Sequence, residues 1–68
     1  MSGLEKHSLT LHGHRTSVTL EPEFWRAFKG IAAERDIAIN ALAAEIDEGR
    51  STNLASAIRV FVLNHYLR

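Results

Sequence analysis

The sequence predicts a mostly α-helical domain of the α+β class, in which a short N-terminal β-ribbon precedes three helices. Residues 15–20 alternate with a period of two, which is typical of a half-buried strand. Apolar residues then recur at helical spacing to the end of the chain. Because 68 residues without cysteine enclose only a small core, we also expect a homodimer or a higher oligomer.

The strand at residues 15–20 is the most informative segment of the chain. Its alternation places Arg15, Ser17 and Thr19 together on one polar face. The opposite face consists of Thr16, Val18 and Leu20. The backbone groups of a strand must be paired, and a second copy of the same strand is the expected partner.

The segment before this strand allows two interpretations. Residues 8–11 alternate briefly, and Gly13 can supply the positive φ of a tight turn, which predicts a hairpin over residues 8–20. Gly13 can instead mark a bulge in one longer strand. We favour the hairpin. Residues 1–6 show no periodicity and are expected to form a flexible tail, which leaves residues 7–68 as the domain.

The helices are predicted over about residues 22–35, 39–48 and 53–67. Pro22 suits the first position of the first helix, and Phe24 begins its apolar stripe. Asn53 is a favourable N-cap for the third helix. That helix is apolar around much of its circumference, which indicates burial on several sides and therefore an oligomer.

Composition excludes several classes of function. The absence of cysteine removes disulfides and thiolate sites and fits a reducing cytoplasm. No segment has the pattern of a membrane span or a signal peptide, so we expect a cytoplasmic protein without a membrane partner. Eight basic residues balance eight acidic ones, which is unusual for a DNA-binding domain.

Several short motifs follow one another in a defined order. Leu20 ends the strand, Pro22 opens the first helix, and residues 35–42 form a turn and a helix start. This order resembles the ribbon-helix-helix family. Segments 13–18, 40–42 and 53–62 resemble, more narrowly, a branch of small bacterial members of that family. The resemblance extends over residues 13–66.

The resemblance implies a DNA-binding transcriptional regulator that acts as an intertwined homodimer. In the family, paired strands from two copies enter the major groove of double-stranded DNA. The outward residues Arg15, Ser17 and Thr19 would read base edges, because arginine donates two parallel hydrogen bonds to guanine and hydroxyls adapt to either role. The N–H groups of Ile39 and Asn40, at the start of the second helix, would contact a phosphate.

The expected dimer or oligomer interface combines the apolar strand face with aromatic side chains. A lone tryptophan is unfavourable on a surface, so Trp25 is expected to pack against another helix or subunit. The residues expected at this interface are Thr16, Val18, Leu20, Trp25, Phe28 and Phe61.

Two departures from the family pattern support an alternative function. Ala38 stands where the family usually has a capping Ser or Thr, a loss of typically ~1 kcal/mol. The third helix exceeds the minimal family plan, unless residues 37–50 are an insertion and residues 53–67 are the family's second helix. The alternative is a homo-oligomer that does not bind DNA and acts as a protein- or small-ligand-binding module. A third hypothesis, an antitoxin, fits poorly with a chain that ends in a helix.

No motif indicates catalysis or a bound metal. His12 and His14 are nitrogen ligands of a kind that suits zinc, nickel or copper, but no cysteine or neighbouring carboxylate completes a set. The sequence also lacks a Ser/His/Asp set, a glycine-rich phosphate loop and an HExxH motif. We therefore expect no enzyme activity, no metal and no cofactor.

Overall fold

The computed structural model describes residues 3–68 and confirms the predicted class, a short ribbon followed by three helices. The elements are β1 (Glu5–Leu11), β2 (His14–Leu20), α1 (Pro22–Glu34), α2 (Ile39–Gly49) and α3 (Leu54–Leu67). Met1 and Ser2, at the start of the predicted tail, lie outside the described residues. Glu5 and Lys6, which we also expected in the tail, belong to β1.

The strands β1 and β2 form an antiparallel hairpin joined by a two-residue turn. His12 has a φ of 53° and Gly13 a φ of 81°. Positive φ at both central positions is the signature of a type I′ turn, which matches the twist of the two strands. The hairpin interpretation is therefore confirmed. The expectation that β2 depends on a second copy for its partner is wrong along one edge, because β1 occupies that edge.

The hairpin and the three helices enclose one apolar core. The strands contribute the buried side chains of their inner face, which are Leu9, Leu11, Val18 and Leu20. The helices contribute Phe28, Ile31, Ala32, Leu42, Ala43, Ile58 and Val62. Burying a large apolar side chain stabilises the fold by about 1.5–3 kcal/mol, so this core supplies most of the stability that one chain possesses.

The turn between α1 and α2 is a Schellman motif. The N–H of Ile37 donates to the carbonyl of Ala32 at 3.0 Å, and the N–H of Asp36 donates to the carbonyl of Ala33 at 3.1 Å. Asp36 adopts a φ of 57°, the left-handed conformation that this motif requires. The motif satisfies the last carbonyl groups of α1 and turns the chain directly into α2.

The second and third helices begin differently. The Oδ1 atom of Asn53 accepts a hydrogen bond from the N–H of Ser56 at 2.8 Å, which confirms the predicted N-cap of α3. Ala38 precedes α2 and provides no side-chain cap.

Leu42 and Ala43 of α2 are fully buried, so residues 37–50 are an integral layer of the core. None of the three helices has the length and apolar content to cross a membrane.

Candidate nucleic-acid interface

The side of the hairpin that faces away from the helices carries only polar and basic side chains. The register pairs Lys6 with Thr19, Ser8 with Ser17 and Thr10 with Arg15. We call these side chains the outer face, and every one of them is exposed. The alternation in the sequence placed Arg15, Ser17 and Thr19 on this face. The contribution of β1 was not foreseen, because Lys6 lies within the predicted tail.

The outer face contains no carboxylate, although the whole chain has equal numbers of acidic and basic residues. Seven of the eight acidic residues follow β2 in the sequence. The eighth, Glu5, approaches the half-buried His7, with its Oε1 atom 3.5 Å from the Nε2 atom. Neither Lys6 nor Arg15 forms an ion pair with any residue that the structure describes. Both cations are therefore available to an anionic partner.

The two edges of the hairpin differ in what covers them. The N–H of Thr10 donates to the Oδ1 atom of Asn40 at 3.1 Å, so it points away from β2. In an antiparallel pair the opposite residue, Arg15, then directs its own backbone groups away from β1. The backbone groups of Ser17 and Thr19 point away from β1 as well, because this direction repeats at every second residue of a strand. Within residues 3–68 no strand pairs with this second edge, which makes it a template for a further strand.

The predicted phosphate contacts, Ile39 and Asn40, lie at the start of α2 and beside the edge of β1. The hydrogen bond between Asn40 and Thr10 fixes this helix start next to the outer face. The first N–H groups of a helix have no intrahelical partner, and Ala38 supplies no side-chain oxygen to them. With the positive end of the helix dipole, these groups favour an anion.

The residues expected at a dimer interface fall into two groups. Three of them are fully buried in the core of the single chain: Val18, Leu20 and Phe28. Their apolar character is explained without a second copy. Thr16 is exposed, and Trp25 and Phe61 are half-buried. Of the surface predicted for a partner, the open β2 edge and the exposed parts of these side chains remain.

Trp25 packs against a strand of its own chain. Its indole stacks on the imidazole of His7, with ring centroids 3.9 Å apart and an interplanar angle of 7°. It also contacts the ring of Phe28 at a centroid distance of 6.0 Å. The sequence analysis assigned no role to His7. Only the pairing of β1 with β2 shows that this residue faces α1.

An ion pair connects α3 to the end of β2. The Nε atom of Arg59 donates to the Oε1 atom of Glu21 at 2.9 Å. This hydrogen bond, with a further contribution from the backbone of Glu21 itself, lowers the pKa of the Glu21 carboxyl from its ordinary value. Glu21 precedes α1 without capping it, so its side chain stabilises the contact between α3 and the β2–α1 junction.

The turn histidines do not belong to a metal-binding cluster in the part of the chain that the structure describes. The Nε2 atom of His12 lies 3.7 Å from the Oε2 atom of Glu48. Within residues 3–68, no three His, Cys, Asp or Glu side chains are placed to hold a metal ion. The pair of His12 and Glu48 instead links the hairpin turn to the end of α2.

The surface of α3 carries a second distinctive feature, a row of exposed apolar side chains. These are Val60, Leu63, Tyr66 and Leu67, each more than half exposed. An adjacent groove of about 230 Å³ lies between α1 and α3 and is lined by Glu23, Phe24, Ala27, Val62, Leu63 and Tyr66. Exposed apolar surface of this kind is typical of contacts with another protein.

Paired strands with polar outward side chains are one of the arrangements that DNA-binding proteins place in a groove. A family model described as "Ribbon-helix-helix domain" matches residues 4–66. The chain belongs to the ribbon-helix-helix family. Proteins of this family are generally DNA-binding transcription regulators. The searches of curated proteins and of solved structures found no match.

Proposed function

We propose that this protein is a bacterial, cytoplasmic transcriptional regulator that binds double-stranded DNA as a homodimer. The observation that carries the proposal is the composition of the outer face. It combines two cations with four hydroxyl side chains and excludes every carboxylate, in a chain of zero net charge. A polyanion such as DNA is attracted by the positive charge of this face, even though the net charge of the whole chain is zero.

The open edge of β2 supports the homodimer. Two such edges pair around a two-fold axis through the same residues on both copies, which is an isologous interface. The opposite edge of the hairpin is covered at Thr10, because Asn40 accepts the hydrogen bond of the Thr10 N–H. The expected dimer therefore contains one continuous four-stranded sheet, with the two β2 strands at its centre and a β1 strand on each side.

The central strands carry the side chains that suit base recognition. Arg15 donates two parallel hydrogen bonds to guanine, an interaction worth about 1–3 kcal/mol of discrimination against other bases. The hydroxyls of Ser17 and Thr19 both donate and accept, so they fit several base edges. The N–H groups of Ile39 and Asn40 approach a phosphate beside the groove and fix the orientation of the dimer.

The test compares Arg15→Ala with Arg26→Ala, an exposed arginine on α1 that is absent from the outer face. A duplex is first selected by the wild-type protein from a randomised library and then used in gel-shift titrations at low salt. We expect Arg15→Ala to bind this duplex at least about tenfold more weakly, since ~1.4 kcal/mol corresponds to tenfold. Arg26→Ala should bind like the wild type. Equal affinity of Arg15→Ala and wild type would show that the outer face is not the reading surface.

The exposed row on α3 favours a second candidate function. A homo-oligomer that does not bind DNA and acts as a protein- or small-ligand-binding module would use Leu63, Tyr66 and the neighbouring groove. Ala38, which leaves α2 uncapped, also fits this candidate. Light scattering combined with a gel shift separates the two. A dimer that shifts DNA supports the regulator, and a larger particle that shifts no fragment supports the binding module.

A further inference from the structure

We infer that β1 is a phosphate-binding strand, and that Lys6, Ser8 and Thr10 contact the DNA backbone beside the bases that β2 reads. This inference rests on the proposed DNA-binding function and adds a ligand class for one strand. It concerns three exposed side chains on the outer face of β1.

The position of β1 follows from which hairpin edge is open. Asn40 covers the β1 edge at Thr10, and the proposed dimer joins two β2 edges, so β1 lies one strand further from the two-fold axis. Neighbouring strands lie about 4.8 Å apart, which places β2 about 2.4 Å and β1 about 7 Å from the axis. The major groove is about 12 Å wide and so extends only about 6 Å to either side. The β2 strands therefore lie over the bases, and the β1 strands lie over the phosphates that border the groove.

The side chains of the two strands match these positions. Lys6 on β1 is a compact charge on a flexible stem, which suits a phosphate and carries little base information. Arg15 on β2 has the planar fork that recognises guanine. The hydroxyls of Ser8 and Thr10 are donors of the kind that commonly contact phosphate oxygens. The lysine therefore lies on the strand expected over the phosphates, and the arginine lies on the strand expected over the bases.

The start of α2 lies next to the outer-face side chains of β1 and offers further donors for a phosphate. The N–H of Thr10 is bound by the side chain of Asn40, so the first turn of α2 lies directly outside Thr10. A strand with one lysine and two hydroxyls and a helix start with free N–H groups then follow one another along the same border of the sheet. Both favour the same ligand, an oxygen-rich anion.

The experiment measures how DNA binding depends on salt, because each neutralised phosphate contributes a defined slope. The probe is the selected duplex, titrated between about 50 and 200 mM salt. We expect Lys6→Ala to reduce the slope of log K against log salt by about one per chain, hence about two per dimer. Lys6→Arg should retain the slope. Lys29→Ala removes an exposed lysine from α1 and serves as the matched control, with an unchanged slope.

The base preference of each variant is determined in parallel by repeating the selection from the randomised library. Lys6→Ala should select the same sequences as the wild type, since a phosphate contact carries no sequence information. An unchanged salt slope for Lys6→Ala, together with weakened binding of Arg15→Ala, would overturn the phosphate strand and leave the proposed function intact. An altered base preference of Lys6→Ala would overturn it as well. If the wild type enriches no duplex, both the proposed function and this inference fail.

Discussion

The inner and outer faces of the hairpin are built from the same two strands and differ in almost every property. Leu20 on the inner face is 0 % exposed, whereas its neighbour Thr19 on the outer face is exposed. The inner face carries aliphatic side chains that complete the core, and the outer face carries cations and hydroxyls that contact nothing in the core. Successive residues of each strand therefore serve different purposes: those on the inner face stabilise the fold, and those on the outer face are available to a partner. A substitution on the outer face should leave the stability of the fold unchanged, and a substitution on the inner face should leave the chemistry of the outer face unchanged.

The largest effect that tests this separation is expected at adjacent residues of β2. Leu20→Ala removes a fully buried side chain and should lower the free energy of unfolding by about 2–5 kcal/mol. Thr19→Ala should change it by no more than about 0.5 kcal/mol, because the site is exposed. Urea unfolding monitored by circular dichroism measures both. If Thr19→Ala destabilises as much as Leu20→Ala, the outer face also supports the fold and the division between the faces is wrong.

The two edges of the hairpin offer the next comparison, between Ser17→Pro and Ser8→Pro. These serines are cross-strand partners in one pair. Proline removes the N–H of Ser17, which points to the open β2 edge, and leaves the hydrogen bonds between β1 and β2 in place. Two lost hydrogen bonds per dimer, at about 0.5–1.5 kcal/mol each, should weaken association about fivefold to 150-fold.

Ser8→Pro makes the same substitution on the other edge and controls for its cost to the hairpin. Its N–H points to the β1 edge, which α2 covers at Thr10 and which the proposed dimer does not use, so association should remain as in the wild type. Sedimentation or light scattering over a range of concentrations measures both variants. A dimer that persists in Ser17→Pro and dissociates in Ser8→Pro would place the second copy on β1 and reverse the proposed order of strands.

Local chemistry explains which elements were predictable from the sequence. The fixed φ of Pro22 and the side-chain oxygen of Asn53 act within a few residues, so the starts of α1 and α3 were identified from the sequence to within a residue. The polar face of β2 followed from its period of two. The early start of β1 was missed, since residues 5–7 show no apolar alternation.

Contacts between distant segments were not predictable in the same way. An apolar side chain such as Leu20 or Phe28 signals burial, but it does not specify whether its own chain or a second copy covers it. The structure assigns both to a single-chain core. The hydrogen bond between Thr10 and Asn40 joins residues 30 positions apart, and it covers the β1 edge at Thr10. No local pattern carries that information, because it depends on how α2 packs against β1.

The smallest expected change in the free energy of unfolding concerns the ion pair between Arg59 and Glu21, which lies outside the inner face of the hairpin. Arg59 lowers the pKa of the Glu21 carboxyl, so the pair stabilises the fold above the ordinary pKa of 4.5. This stability is lost as the pH falls through the lowered pKa, because the carboxylate must then be protonated. Wild-type protein should therefore lose slightly more stability on acidification than either Arg59→Gln or Glu21→Gln. Urea unfolding at neutral and acid pH measures the difference.

The double variant Arg59→Gln, Glu21→Gln separates the acid response of this ion pair from that of the rest of the protein. It should respond to acid like either single variant, since removing one partner already abolishes the part of the pKa shift that Arg59 causes. Both single variants should retain the helix content of the wild type at neutral pH, because Ile58 and Val62 still hold α3 against the core. Loss of helix content in Arg59→Gln would mean that a polar contact, and not the apolar inner face, holds α3 under the sheet.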